Sequence, residues 1–193
     1  MKLRANRRRP GLSPPMPAAR PPAGGAREVL LLPANPWFIA LTLALALFID
    51  FLPLGRLPWL PDLVALTLVF WNVHQPRRVG MTLAFVLGLV VDVQQGAVLG
   101  QHALIYTVLS YFAITLHRRL LWFPPLQQAL HVLPLFFAAQ LLQLLVGMWA
   151  GGTFPGWSFF LAPVLQAMLW PLWTWLLLAP QRRAPDPDRN RPL

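Results

Sequence analysis

Residues 81–120 read MTLAFVLGLVVDVQQGAVLGQHALIYTVLSYFAITLHRRL, and this stretch decides the fold. It contains one apolar run that ends near residue 93 and a second at about 103–116, each of which predicts a helix. The segment between them, QQGAVLGQHA, is apolar enough to stay in or near a membrane. Two arginines, Arg118 and Arg119, follow the second run directly, as is typical of a helix that leaves a bilayer on its cytoplasmic side.

The rest of the chain repeats this pattern of apolar runs and basic turns. Of the 193 residues, 56% are hydrophobic and 11% are charged, and the mean hydropathy is +0.53. A soluble domain of this size could not bury so much apolar surface. Because crossing a bilayer core takes roughly 20 helical residues, the chain has room for six or seven crossings. We therefore predict an all-α integral membrane protein with six transmembrane helices.

The basic residues predict how this bundle is oriented. If the N-terminus is cytoplasmic, every lysine and arginine except Arg56 falls on the cytoplasmic side, as the positive-inside rule requires. Both termini are then cytoplasmic. The prediction divides the chain into a disordered, basic, Pro/Arg-rich tail (1–34), a six-helix membrane domain (35–180) and a second cytoplasmic tail (181–193). Charge leaves one alternative open, in which residues 79–116 form a single re-entrant hairpin.

Few polar side chains that could carry chemistry fall in the apolar region. Asp50, Asp62 and Asp92 lie near the predicted outer ends of helices, and Arg56 and His102 lie at the same level. An ionised carboxylate is costly in hydrocarbon, so we expect these residues to form a polar cluster at the outer rim. For Asp62 we favour a helix N-cap, and for Asp92 a packing role or a buried pair.

Small residues recur every four positions at Gly88, Gly96 and Gly100, with Asp92 in the same register. On one continuous helix they would form a smooth stripe that lets another backbone approach closely. Gly96 could equally mark a break, because the preceding helix is short. The sequence leaves open whether residues 94–100 form a loop, a break or a continuous helix.

The sequence lacks the signatures of common enzyme classes. It has no H-E-x-x-H, no G-x-S-x-G and no glycine-rich phosphate loop that ends in lysine. The absence of cysteine excludes disulfides and thiolate metal sites, and the histidines have no mutual metal-ligand spacing. The net charge of +10 is explained by contact with the lipid bilayer rather than with nucleic acid. We predict no enzyme, no catalytic residue, no metal and no cofactor.

One segment carries a family resemblance. Pro61 and Asp62 begin it, and the residues from Gly88 to Leu104 follow the pattern G-x-x-x-D-x-x-x-G-x-x-x-G-x-H-A-L. Basic pairs at 77–78 and 118–119 flank that pattern. On these residues the chain resembles MreD, the family of rod shape-determining membrane proteins of bacteria.

The resemblance implies a non-enzymatic role in cell shape, within the elongation complex (elongasome) that performs lateral peptidoglycan synthesis. It implies binding to MreC and, through MreC, association with MreB, RodA and a class B penicillin-binding protein. It also implies a cell inner membrane location and a fold similar to the substrate-binding subunits of energy-coupling-factor transporters. The candidates for partner binding or packing are Asp50, Arg56, Asp62, Gly88, Asp92, Gly96, Gly100 and His102.

A solute-binding subunit of a membrane transporter is the alternative function. The implied fold, the outer polar cluster and a small stripe at Ala40 and Ala44 make it plausible. The short outer loops, which bring few polar or aromatic groups toward a cavity, argue against it. A membrane scaffold is therefore the preferred interpretation.

Overall fold

Six α-helices and no strand make up residues 35–52 and 59–181, the part of the chain that the computed structural model describes. The tails at 1–34 and 182–193 and the predicted rim residue Arg56 lie outside the described residues. The predicted helical class and number of helices are confirmed. The helices are α1 (Pro36–Asp50), α2 (Leu63–His74), α3 (Met81–Gln95), α4 (Gln101–Leu120), α5 (Pro125–Trp149) and α6 (Leu161–Leu178), and short 3-10 turns at Trp157–Phe160 and Ala179–Gln181 flank α6.

Capping and proline residues explain several helix ends. The side chain of Asn35 accepts a hydrogen bond from the Trp37 backbone N–H, and Pro36 occupies the first turn of α1, where its missing N–H costs nothing. Pro163 lies in the first turn of α6 for the same reason. Further along, α5 continues through Pro134 and α6 through Pro171.

The core of the bundle is built around α2. Each residue from Val64 to Val73 is buried, as expected of a helix that is apolar on all sides. It is surrounded by α1, α4 and α6. Both α3 and α5 pack against α4. The α5 helix also packs against α6. Aromatic rings fill the centre, where Phe70 meets Trp71 edge-on with ring centroids 5.0 Å apart.

The outward surface of the bundle carries many large apolar side chains. Leu41, Leu130 and Met168 are 64%, 69% and 70% exposed, and many other large apolar side chains point outward beside them. A soluble monomer rarely exposes continuous apolar surface of this kind, whereas a protein in lipid requires it. Two helical segments, Pro125–Trp149 and Trp157–Gln181, are long and apolar enough to cross a membrane, and α1, α2 and α3 are shorter apolar helices.

Candidate functional site: the polar cluster at one end of the bundle

The two ends of the bundle differ in their polar side chains. Short connections make successive helices run in opposite directions, so α2, α4 and α6 begin where α1, α3 and α5 end. We call this end, which carries Asp50, Asp62, Asp92 and His102, the acidic end. The opposite end carries Arg77, Arg78, Arg118 and Arg119, and we call it the arginine end.

Asp92 is the centre of the polar cluster. It is only 1% exposed, yet its carboxylate accepts hydrogen bonds from the backbone N–H of Gly100 at 2.9 Å and of His102 at 2.7 Å. It also pairs with the His102 side chain, whose Nδ1 lies 2.8 Å from Asp92 Oδ1. The first N–H groups of a helix have no partner within that helix. The last turn of α3 therefore satisfies the start of α4 through one carboxylate.

All three glycines of the repeat contribute to this same junction between α3 and α4. A Cβ added at Gly88 would lie 2.3 Å from the Cα of Ala103, so only glycine lets α3 approach the start of α4 this closely. Gly96 ends α3 with φ of 60°, and Gly100 precedes α4 with φ of 98°, a backbone region that favours glycine. Residues 96–100 are thus a tight loop between antiparallel helices, and the continuous stripe considered for one helix is wrong.

His102 extends the cluster toward α5. Its Nε2 lies 3.2 Å from Nε2 of Gln143. A neutral imidazole with its proton on Nδ1 satisfies both contacts, because it donates to Asp92 and accepts from the Gln143 amide. The side chain of Gln101 donates a second, longer bond to the Gln143 backbone carbonyl at 3.4 Å. Three helices, α3, α4 and α5, are therefore joined at this end by polar contacts.

Asp62 joins the other side of the cluster. Its Oδ1 accepts from the Ala65 backbone N–H at 2.8 Å, which is the expected N-cap of α2. Its Oδ2 accepts from the hydroxyl of Tyr106 at 2.7 Å, and its backbone carbonyl accepts from the side chain of Gln166 at 3.0 Å. Sequence reasoning missed Tyr106 and Gln166. For Tyr106 a signal was available, because it follows His102 by one helical turn and so shares its face of α4.

Asp50 completes the group of three aspartates. Its side chain hydrogen-bonds with Gln95, and it interacts electrostatically with Asp62 and His102. Its Oδ2 is buried and has no hydrogen-bond partner within the described ranges 35–52 and 59–181. The structure thus brings Asp50, Asp62, Asp92 and His102 together at one end of the bundle.

A small polar cavity lies inside the cluster. Its volume is about 20 Å³, and its polar lining comes from Asp62, His102, Gln140, Gln143 and Gln166. This is room for about one water molecule. In the part of the chain that the structure describes, no group of three or more histidine, cysteine, aspartate or glutamate side chains could hold a metal ion. The arrangement joins helices through hydrogen bonds.

Tyr106→Phe tests the bond between the two sides of the cluster. We expect it to lower the free energy of unfolding by about 1–3 kcal/mol, because one oxygen of the half-buried Asp62 then loses its donor. Thermal unfolding of the detergent-solubilised protein measures the change. Tyr111→Phe is the matched control, since Tyr111 is 54% exposed on the same helix. Equal stability of the two variants would contradict the importance of this bond.

Comparisons with known proteins place this sequence in a family. Residues 32–179 match the family model described as rod shape-determining protein MreD. The chain belongs to the MreD family. It is 31% identical over 154 residues to the rod shape-determining protein MreD of Haemophilus influenzae, an alignment that covers 76% of this chain and 92% of that protein. No solved structure matches the chain, so the likeness to energy-coupling-factor subunits stays a prediction.

The structure explains the residues in the segment from Gly88 to Leu104, on which the resemblance to the MreD family rests. The glycines, the aspartate and the histidine that carry the resemblance are the residues that form the junction between α3 and α4. In this member of the MreD family, the segment therefore forms a helical hairpin that is closed by the Asp92 bonds and by close packing at Gly88.

Proposed function

We propose that this chain is a non-enzymatic scaffold of the bacterial elongation complex, which helps to maintain cell shape and lateral peptidoglycan synthesis by binding MreC. Membership in a rod shape-determining family supports the cell-shape role. One observation favours a scaffold over a catalyst: apart from Asp50, whose Oδ2 has no partner within the described residues, the ionisable groups at the acidic end are bonded within the chain. Asp92, Asp62 and His102 each use their side chains on partners within the chain.

The scaffold would be a multi-pass protein of the inner membrane with six spans and both termini in the cytoplasm. The apolar outward surface and the gathering of Arg77, Arg78, Arg118 and Arg119 at one end support this orientation. The α2 helix has 12 residues and spans about 18 Å, well short of the roughly 30 Å of a bilayer core. Because neighbouring helices enclose α2, its length need not match the thickness of the bilayer core.

We place the contact with MreC at the apolar tip of the α3–α4 hairpin, defined as Val93, Val98 and Leu99. These side chains are 72%, 50% and 71% exposed at the acidic end, which is the periplasmic end in the proposed orientation. Gly88 and Asp92 are used inside the chain and are not available to a partner. The Asp92 bonds hold the tip in one conformation, and a rigid surface loses less entropy when a partner binds. Through MreC, this chain would associate with MreB, RodA and a class B penicillin-binding protein.

Leu99→Asn tests this contact. When the variant is co-expressed with MreC, we expect co-purification to fall at least about tenfold, because the interface loses an apolar anchor. We also expect rod-shaped cells to become rounded. Leu126→Asn is the control, because Leu126 is 76% exposed at the arginine end. Normal rods with intact co-purification of Leu99→Asn, or an equal loss with the control, would contradict the assignment.

The transporter alternative would need a ligand pocket at the acidic end. Ligand pockets usually have volumes of roughly 300–1,000 Å³. The polar cavity there has about 20 Å³, and the glutamines and the aspartate that line it already have partners. A solute-binding role is therefore not favoured.

A further inference from the structure

A groove lies between α1 and α3, away from the polar cluster and toward the arginine end. Its volume is about 300 Å³. Apolar side chains line it, and Pro36 and Arg78 stand where it begins. The walls include Ala40, Leu43, Ala44 and Leu47 of α1 and Leu83 and Leu87 of α3.

The dimensions of the groove correspond to one leaflet of a bilayer. Both α1 and α3 run from the arginine end toward the acidic end, so Pro36 and Arg78 lie at the same depth. From Pro36 to Leu47 the α1 helix rises about 16 Å. Half of a bilayer core is about 15 Å. The groove therefore has the length of an acyl chain in one leaflet, whereas a membrane-spanning helix would need about twice that length.

Arg78 gives the groove a charged entrance. It is exposed, and the described residues provide it with no ion pair. The three acids within those ranges, Asp50, Asp62 and Asp92, lie at the opposite end of the bundle. A guanidinium at the level of the lipid headgroups binds phosphate through two parallel hydrogen bonds. Basic sites between helices on the cytoplasmic side are suited to anionic lipids.

We infer that this groove binds one acyl chain of an anionic phospholipid from the cytoplasmic leaflet, with the phosphate at Arg78. The inference goes beyond the proposed scaffold role and uses only its orientation. The exposed Ala40 and Ala44 leave the space that the chain occupies. The lipid thereby joins the outer side of α1 to α3 and adds to the packing of α1 on α2.

Native mass spectrometry of the full chain tests this site, after its release from nanodiscs that contain equal amounts of phosphatidylglycerol and phosphatidylethanolamine. We expect one phosphatidylglycerol per chain, retained in excess over phosphatidylethanolamine. Arg78→Gln should lower that retention about fivefold, the contribution of one arginine near an anionic surface. Arg118→Gln, at the same end of the bundle but outside the groove, should leave it unchanged. The Arg78 substitution is at an exposed position, so folding does not limit the test.

A second pair of variants tests the groove itself. Ala44→Phe fills it and should remove the retained lipid, whereas Leu41→Phe, on the same helix but outside the groove, should not. Equal retention of the two lipids, no effect of Arg78→Gln, or an equal effect of Arg118→Gln would overturn the inference. Loss of MreC co-purification in Ala44→Phe with unchanged lipid retention would assign the groove to a partner helix and would also overturn it.

Discussion

Gly88→Ala is expected to destabilise the protein by about 3 kcal/mol or more, at the upper end of the cost of overpacking a core. The added methyl would lie 2.3 Å from the Cα and 2.4 Å from the backbone nitrogen of Ala103. Both atoms belong to the backbone at the start of α4, so no side chain can rotate away. The helices must separate, and the Asp92 bonds lengthen with them. Thermal unfolding and expression level of the purified variant measure the effect.

Gly147→Ala is the matched control for Gly88→Ala. It also changes a glycine inside a helix, but its Cβ would meet the side chain of Gln101 at an ordinary 3.7 Å. Alanine favours helix by about 1 kcal/mol over glycine, so this variant should be at least as stable as the natural chain. If both variants unfold alike, the close approach of α3 to α4 at Gly88 is refuted.

Asp92→Ala has the second of the two largest expected effects. It leaves the backbone N–H groups of Gly100 and His102 and the Nδ1 of His102 without their acceptor in a buried place. Removing one partner of a buried pair costs about 3–5 kcal/mol. Hydrogen–deuterium exchange should show lost protection at residues 98–104, and thermal unfolding should show the change in stability.

Two further variants separate the Asp92 bonds from a general effect of changing this helix. Gln94→Ala alters an exposed position two residues away and should leave exchange at the hairpin unchanged. Asp92→Asn keeps one acceptor oxygen and should fall between the alanine variant and the natural chain. Natural protection in Asp92→Ala would mean that Gly88 packing alone holds the hairpin.

The sequence predicted the helices well because their signals are local. Apolar runs, basic turns and the cap at Asp62 each depend on a few neighbouring residues. The segment 94–100 could not be settled in this way. A four-residue spacing of small residues fits a continuous helix and a hairpin equally. The left-handed conformation of Gly96 and the reach of Asp92 across the loop decide between them, and both are set by the packing of α3 on α4.

The candidate site was predicted in its position but not in its connections. Counting helix ends placed Asp50, Asp62, Asp92 and His102 at one level. It could not show that Gln143 faces His102 or that Gln166 reaches Asp62, because these pairs are 41 and 104 residues apart. Such partners depend on how α5 and α6 rotate against α2 and α4, which a single sequence does not encode in any local pattern.

The separation of the bonded residues also bears on the order in which this protein assembles. Asp92 binds groups that are 8 and 10 residues away, so the α3–α4 hairpin can close as soon as both helices have left the ribosome. The bonds from Gln166 to Asp62 and from Trp173 to Thr67 span 104 and 106 residues and must wait for the last helix. Until then, the face of α2 that α6 will cover is open. A chain stalled before α6 would therefore offer the membrane insertion machinery a finished hairpin beside an uncovered central helix.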